Sequence, residues 1–156
     1  MLSPRLPLPT VEALGPRFAD FVARLSRPLI FFDTETTGTD PANDRVVELS
    51  MIKLSPTEGI SPAHTWRLNP GVRIPTEATE IHGIHNKDVA SEPTFAQIAD
   101  DLHAFVSGCD LAGFNVGRFD IRVLQTEFMR VGKLLDLSGV RIIDSQVIYH
   151  QKEPRN

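Results

Sequence analysis

The strongest constraint in this chain is an apolar segment that ends in two acidic residues. Leu29-Ile30-Phe31-Phe32 predicts a buried strand, and Asp33 and Glu35 follow it at alternate positions. Because side chains along a strand point alternately to its two faces, both carboxylates are expected on the same face. Two like charges held together repel, and burial raises their cost further, so we expect a cation between them.

The type of ligand indicates the type of cation. Carboxylate oxygens without His or Cys beside them suit a hard ion such as Mg²⁺ or Mn²⁺. Thr36-Thr37-Gly38 then adds hydroxyl groups and a backbone position where another molecule can come close. A strand whose polar end simply faces solvent would show the same two acidic residues, so the pair alone does not decide its function.

Composition places the chain among globular proteins of one domain. It has 156 residues, of which 41% are hydrophobic and 23% charged, and a chain of this length can bury a core. The net charge of −4 differs from that of a simple nucleic-acid binder, because phosphate contacts favour basic surfaces. Carboxylates that hold metal ions are compatible with this charge, since the ions carry the positive charge that a phosphate meets.

Cysteine content and hydropathy bear on the location of the protein. The single Cys109 allows neither an internal disulfide nor a cysteine-based metal site, which fits a reducing compartment. No apolar run approaches the length of a membrane span, and Pro4, Pro7 and Pro9 interrupt any signal-peptide core. We therefore expect a cytoplasmic protein with no membrane contact.

The periodicity of apolar residues predicts an α/β fold. A proline-rich lead and an amphipathic helix at about 11–25, expected to cover one sheet edge, occupy residues 1–27 ahead of a domain at 28–156. Strands starting at 29, at 45–54 and at 63–68 form an antiparallel meander, with turns at 39–44 and 56–61. Helices at about 76–81, 93–106 and 117–131 then alternate with strands at 111–114 and 140–143, and a last helix begins at 145. This order predicts a mixed sheet of about five strands flanked by helices.

A second motif lies where a strand passes into a helix, in the segment 111–120. The strand delivers Asn115, and Asp120 falls in the first turn of the helix. A carboxylate there is stabilised by the helix dipole, so Asp120 by itself could be an ordinary helix-start residue. Beside the acidic strand end, a metal ligand becomes the preferred interpretation.

These motifs together resemble those of the DnaQ-like (DEDD) 3'–5' exonucleases, the family of the proofreading epsilon subunit of bacterial DNA polymerase III. Residues 31–38 resemble the first motif. Phe119-Asp120 matches the end of the second, usually His-Asn-x-x-Phe-Asp, although Asn115 stands in the place of its His and Val116 in the place of its Asn. The segment 81–84, Ile-His-Gly-Ile, resembles the one that borders the pocket for the terminal nucleotide. The resemblance runs from about residue 29 to 150.

The resemblance implies a ribonuclease H-like exonuclease fold and hydrolysis of phosphodiesters at the 3' ends of single-stranded DNA or RNA, releasing nucleoside 5'-monophosphates. It implies that two Mg²⁺ or Mn²⁺ ions are held by the catalytic residues Asp33, Glu35 and Asp120. A DNA polymerase is a candidate partner, and Asp144 matches a family position that usually caps a helix. The residues expected to hold the terminal nucleotide are Thr34, Thr36, Thr37, Gly38, His82, Asn115 and Phe119.

The sequence departs from the family at its third motif. That motif, commonly His-x-x-x-x-Asp, supplies the general base and a fourth carboxylate, but here Arg155 takes the place of the Asp after His150. We therefore expect an exonuclease domain truncated at its C-terminal end, with impaired activity.

Two other functions stay open on the sequence alone. A degenerate or truncated exonuclease fold could bind a polymerase or a nucleic-acid end without catalysis. A phosphatase of the haloacid-dehalogenase type also places two carboxylates after an apolar strand. That chemistry uses Asp at the second position, so Glu35 argues against it, as does Phe119-Asp120.

Overall fold

The apolar strand that opens the acidic motif lies at the centre of the sheet. The computed structural model describes residues 14–152. Its elements in chain order are α1 (Pro16–Ala23), β1 (Leu29–Thr36), β2 (Val46–Ser55), β3 (Gly59–Ile60), β4 (His64–Arg67), α2 (Thr76–His82), α3 (Asn86–Val89), α4 (Phe95–Val106), β5 (Asp110–Gly113), α5 (Asp120–Arg130), β6 (Ile142–Asp144) and α6 (Ser145–Lys152).

The sheet is mixed, as predicted, and contains six strands. The strand order is β3-β2-β1-β5-β6, and β4 also pairs with β2. β1 runs antiparallel to β2 and parallel to β5, and β5 runs parallel to β6. The strand beyond the predicted five is β3, whose two residues lie in the segment 56–61 that the sequence predicts to be a turn. β1 also continues through both acidic residues to Thr36.

Alternation along β1 gives the sheet a core on both faces. Ile30 and Phe32 pack on one face with α4 and α5, where Phe128 is fully buried. Leu29 lies on the opposite face with Val22 of α1. The sheet is therefore a layer between α1 on one side and α4 with α5 on the other.

α2 and α3 pack beside the start of β2. Ala78 of α2 and Val89 of α3 form a second apolar cluster with Val47 of β2. Because Thr36 at the end of β1 pairs with Val46 at the start of β2, this cluster brings α2 next to the acidic end of β1. The fold thus gathers α2, β1 and the start of α5 in one place.

The first helix differs from its prediction in extent and position. α1 begins at Pro16, because proline suits the first helical position, and Gly15 before it has a φ of 89°. It packs against the face of the sheet rather than its edge, through Val22, which belongs to one buried cluster with Leu29 and Leu54. The lead and the predicted start of the helix, residues 1–13, lie outside the described part of the chain.

The other elements agree with the predictions within a few residues, with two differences. α5 begins at Asp120 instead of residue 117, because residues 116–119 form a turn. α3 is not predicted, since it is a single turn; its start is held by the His85 amide, which donates to the Asp88 carboxylate at 2.8 Å. None of the helices in residues 14–152 has the length and apolar character needed to cross a membrane.

Phe128→Ala tests the core between α4, α5 and the sheet. Phe128 is fully buried, with its ring 5.1 Å from that of Phe95 in an edge-on contact. Its truncation should cost about 3–5 kcal/mol of unfolding free energy, because the cavity cannot close completely. Met129 is 67% exposed, so Met129→Ala should stay within about 0.5 kcal/mol. Urea unfolding of both variants measures the difference, and equal losses would contradict this packing.

Candidate active site

The two strand carboxylates lie on one face of β1, as the alternation predicts. Asp33 is exposed and Glu35 half-buried, whereas Phe32, Thr34 and Thr36 between and beside them are buried. A register shift between Glu35 and Thr36 interrupts the pairing with β2. Such irregularities increase the local twist of a strand and often occur next to active sites.

Asp120 reaches this strand from α5. It is the first residue of the helix and is only 4% exposed. Its Oδ1 accepts hydrogen bonds from the Thr34 hydroxyl at 2.6 Å and from the Thr34 amide at 3.0 Å. The residue between the two strand carboxylates therefore holds the third carboxylate in place.

Partial removal from water raises the pKa of all three carboxylates, and repulsion by neighbouring carboxylates raises those of Glu35 and Asp120 further. Burial raises the pKa of Asp33, opposed by a hydrogen bond from the Thr34 amide. Burial raises the pKa of Glu35, and neighbouring carboxylates raise it further, those of Asp33, Glu48 and Asp120. For Asp120, burial again raises the pKa most, hydrogen bonds from Thr34 lower it, and the charge of Asp33 adds to the rise.

The chemistry of this donor set suits a hard cation. None of the ion pairs among residues 14–152 involves Asp33, Glu35 or Asp120, so protein cations leave their repulsion unrelieved. In this conformation, however, residues 14–152 contain no group of three His, Cys, Asp or Glu side chains arranged to hold a metal ion. The carboxylates thus have the right oxygens and the right electrostatics, while one oxygen of Asp120 is engaged by Thr34.

A cavity of about 350 Å³ opens beside the end of β1. Most of the residues predicted to hold a nucleotide line it: Thr34, Thr36, Thr37, Gly38, His82 and Phe119. Glu35 also lines the cavity, so its wall includes an acidic residue. On the other side Pro75, Ala78 and Ile81 contribute apolar surface, and Ile81 is 81% exposed. The space is polar at the strand and apolar at α2.

His82 joins α2 to the strand end. Its Nδ1 accepts a hydrogen bond from the Ile84 amide at 3.1 Å, and its Nε2 lies 3.1 Å from the Thr36 carbonyl. The tautomer with its proton on Nε2, which then donates to Thr36, satisfies both contacts. Both ring nitrogens are therefore engaged, and His82 shapes the cavity instead of acting as a free base. Gly83 ends α2 in the left-handed region, with a φ of 74°.

The loop after β1 approaches the cavity through Gly38. A Cβ at this position would lie 2.5 Å from Oδ2 of Asp44, so any other residue would force the hydrogen-bonded Asp44 carboxylate to move. Thr37 anchors the loop: its amide donates to the Arg45 carbonyl at 2.9 Å, and its hydroxyl donates to Asp44 Oδ1 at 2.9 Å. Sequence reasoning missed this role of Asp44.

Asn115 lies outside the residues that line the cavity. It is the one non-glycine residue with positive φ in residues 14–152, at 55°, and its amide donates to Asp144 Oδ1 at 2.9 Å. The same carboxylate accepts from Gly117 at 3.2 Å and from Gln146 in the first turn of α6 at 3.0 Å. Asp144 therefore caps α6 and also holds the turn before α5, while a substrate contact by Asn115 stays a prediction.

Comparison with known proteins finds similar chains over most of this sequence. The exonuclease family model, RNase_T, matches residues 30–147. A DNA polymerase III subunit epsilon of Rickettsia conorii is 36% identical over 124 residues, which cover 76% of this chain and 53% of that protein. A DNA polymerase III subunit epsilon-like protein of Rhodobacter capsulatus is 31% identical over 109 residues, covering 69% of this chain and 15% of its own length.

Solved structures match the fold. The metal-free crystal structure of an E. coli ExoI–ssDNA complex superposes with a TM-score of 0.72 at 21% identity, covering 81% of this chain and 30% of that one. A product-bound structure of exonuclease I gives 0.71 at 22% identity, covering 85% and 34%. At this identity the likeness shows the ribonuclease H-like exonuclease fold alone. The chain spans little more than half of the Rickettsia relative and about a third of these structures.

Glu35→Gln tests the repulsion at the site. A raised pKa means that ionised Glu35 destabilises the folded state above that pKa, and that the cost disappears below the unfolded value of 4.5. In metal-free buffer, the melting temperature of Glu35→Gln should exceed that of the wild type at neutral pH, and the difference should vanish below pH 4.5. Thermal unfolding across this pH range measures it.

Asp40→Asn is a control of opposite sign. Hydrogen bonds from the Asn43 side chain and the Ala42 amide lower the pKa of Asp40, so its contribution to stability is present above 3.8 and lost as the pH falls through the folded value. This variant should melt below the wild type at neutral pH. A Glu35→Gln protein that behaved in the same way would contradict the repulsion described here.

Proposed function

This chain belongs to the exonuclease family, and we propose that it acts on nucleic-acid 3' ends, hydrolysing the terminal phosphodiester to release a nucleoside 5'-monophosphate. The observation that carries the proposal is that the strand segment bearing the carboxylates is also a wall of the cavity. Thr34 and Glu35 line the cavity, Thr34 binds Asp120, and Asp33 directly precedes Thr34 on β1. A nucleotide seated in the cavity would therefore have its phosphate beside acidic groups, which is unfavourable unless cations accompany it.

The cavity walls suit a terminal nucleotide. Ile81 and Phe119 offer apolar and aromatic surface to a base, a contact that tolerates any sequence because every base has a π-face. Thr36, Thr37 and Gly38 line the same space. The hydroxyls of both threonines already donate to protein oxygens, so contacts with sugar and phosphate oxygens would fall to the backbone of this segment. These contacts do not distinguish DNA from RNA, so both remain proposed substrates.

Asp33, Glu35 and Asp120 would hold two Mg²⁺ or Mn²⁺ ions. When bound, such ions supply a lowered pKa for the attacking water and stabilise charge on the phosphoryl group and leaving oxygen. The contribution of the chain is to hold acidic oxygens on one strand face and to fix Asp120 through Thr34. The turn held by Asp144 then places Phe119 against the cavity.

The described residues do not supply the general base that the proposed reaction needs. His82, the histidine that lines the cavity, has both ring nitrogens engaged. The sequence also contains no His-x-x-x-x-Asp. We propose that activity is impaired for this reason, which keeps an inactive exonuclease-fold binding module as the second candidate. The phosphatase hypothesis loses its support, because the family model that matches is that of exonucleases.

The proposed partners follow from the same family. One relative is named as a DNA polymerase III subunit epsilon and another as an epsilon-like protein, so a DNA polymerase is the proposed protein partner. A cytoplasmic location is proposed together with it.

Metal binding should stabilise the folded chain. If only the folded state binds, Mg²⁺ or Mn²⁺ at a hundred times its Kd adds about 2.7 kcal/mol, and the melting temperature rises with metal concentration. Asp33→Ala combined with Glu35→Ala should abolish this rise. Asp100→Ala combined with Asp101→Ala removes the same charge from the exposed side of α4, and this variant should still show the rise in melting temperature. An equal rise in both double variants would place the ions elsewhere.

Nuclease activity should be very low in this chain and should be restored when a side chain that acts as a general base is added. A longer chain that carries a downstream His-x-x-x-x-Asp should release a 3'-terminal label from single-stranded DNA or RNA about 10²–10⁴-fold faster, the usual worth of general-base assistance. Full activity of the short chain, lost on Asp120→Ala, would show instead that its own residues supply the base.

A further inference from the structure

Glu127 is a buried charge that the proposed chemistry does not use. It lies on α5, seven residues after Asp120, and only 1% of it is exposed. A buried carboxylate is tolerated only when charged and polar partners satisfy it, and losing a partner is costly. The partners of Glu127 therefore show which parts of the structure α5 keeps in place.

Two arginines and one amide share this carboxylate. Arg45 binds it with two hydrogen bonds, Nε to Oε1 at 2.9 Å and Nη2 to Oε2 at 3.2 Å. The Val46 amide donates to Oε1 at 3.1 Å, and Arg130 Nη1 lies 3.3 Å from the same oxygen. Paired hydrogen bonds between arginine and a carboxylate fix geometry as well as adding energy. Glu127 thus fixes the first residues of β2 and orients Arg130.

Arg130 extends the contact to the loop between β1 and β2. Its guanidinium donates to the carbonyls of Ala42 at 3.2 Å, Asn43 at 3.1 Å and Asp44 at 3.2 Å. The Asp44 carboxylate accepts from Thr37 on the opposite limb of the loop. Through these contacts, one buried anion holds both limbs of the segment 37–46.

The segment held in this way is a wall of the proposed nucleotide cavity. Thr37, Gly38 and Thr39 line the cavity. Glu127 lies on α5, the helix that begins with Asp120. The distance between a nucleotide bound at the loop and the Asp120 carboxylate therefore depends on the hydrogen bonds and ion pairs of Glu127.

We propose that Glu127 is a positioning residue for nucleotide binding: through Arg45 and Arg130 it holds the loop 37–46 against α5 and so sets the shape of the cavity. The inference rests on the proposed function. Glu127 touches neither the cavity nor the reacting groups, so its effect must pass through the loop.

Glu127→Gln is the central variant. It keeps the shape of the side chain and an oxygen for the Val46 amide but removes the charge that both arginines share. With thymidine 5'-monophosphate and Mn²⁺ as the probe, the Kd from titration calorimetry should rise about tenfold, the order typical of residues that support a site from behind. Amide hydrogen exchange in residues 38–46 of the ligand-free chain should accelerate selectively.

Asp110→Asn is the matched control. Asp110 is also a buried carboxylate with two arginine partners, Arg27 and Arg141, but it lies at the start of β5, away from the cavity. This variant should lose stability while keeping the wild-type Kd and the wild-type exchange in residues 38–46. If Asp110→Asn weakened nucleotide binding as much as Glu127→Gln, a general loss of stability would explain both, and the positioning role would be overturned.

Arg130→Gln provides a second variant in case Glu127→Gln does not fold. It removes the guanidinium that contacts three loop carbonyls without leaving Glu127 unpaired, since Arg45 remains. It should also raise the Kd and accelerate exchange in the loop. A wild-type chain that binds the nucleotide, with both variants binding equally well, would overturn this inference and leave the proposed function intact. A wild-type chain that binds no nucleotide would overturn both.

Discussion

The two hydrogen bonds from Thr34 to Asp120 join the parts of the structure on which the site depends. One donor is a side chain and the other a backbone amide of β1, so the start of α5 is fixed in position along the strand. Asp33 and Glu35 flank the same residue on the other face of the strand. A change in the seating of α5 would therefore alter the geometry of all three carboxylates together.

The acidic cluster opposes the stability of the fold that carries it. Glu35 lies directly across from Glu48, a pairing of like charges that destabilises neighbouring strands. One of the two charges is paired, because Arg67 Nε donates to Glu48 Oε2 at 2.9 Å. The charge of Glu35 has no such partner among residues 14–152. Carboxylates left in this state are common where a protein retains charge for a ligand rather than for its own packing.

The sequence was sufficient for features that depend on local pattern. The alternation of Asp33 and Glu35 and the buried strand before them follow from residues close together in the chain. The capping role of Asp144 was instead implied by the family resemblance. β3 could not be predicted because two residues carry no periodicity. The network of Glu127 was equally out of reach, since its partner Arg45 is 82 positions away and only the folded chain brings them together. The residue type gave one signal: a carboxylate in the middle of an apolar helix face needs a buried partner.

The close approach of Gly38 to Asp44 also restricts how this protein can change. Any side chain at position 38 requires the Asp44 carboxylate to move or to be replaced, because its Cβ would lie 2.5 Å from that carboxylate. Shortening Asp44 first would release the Thr37 hydroxyl and the Asp40 amide, which it binds at 2.9 and 2.8 Å. Either order passes through an intermediate sequence with a damaged cavity wall. The two positions are thus coupled in mutation.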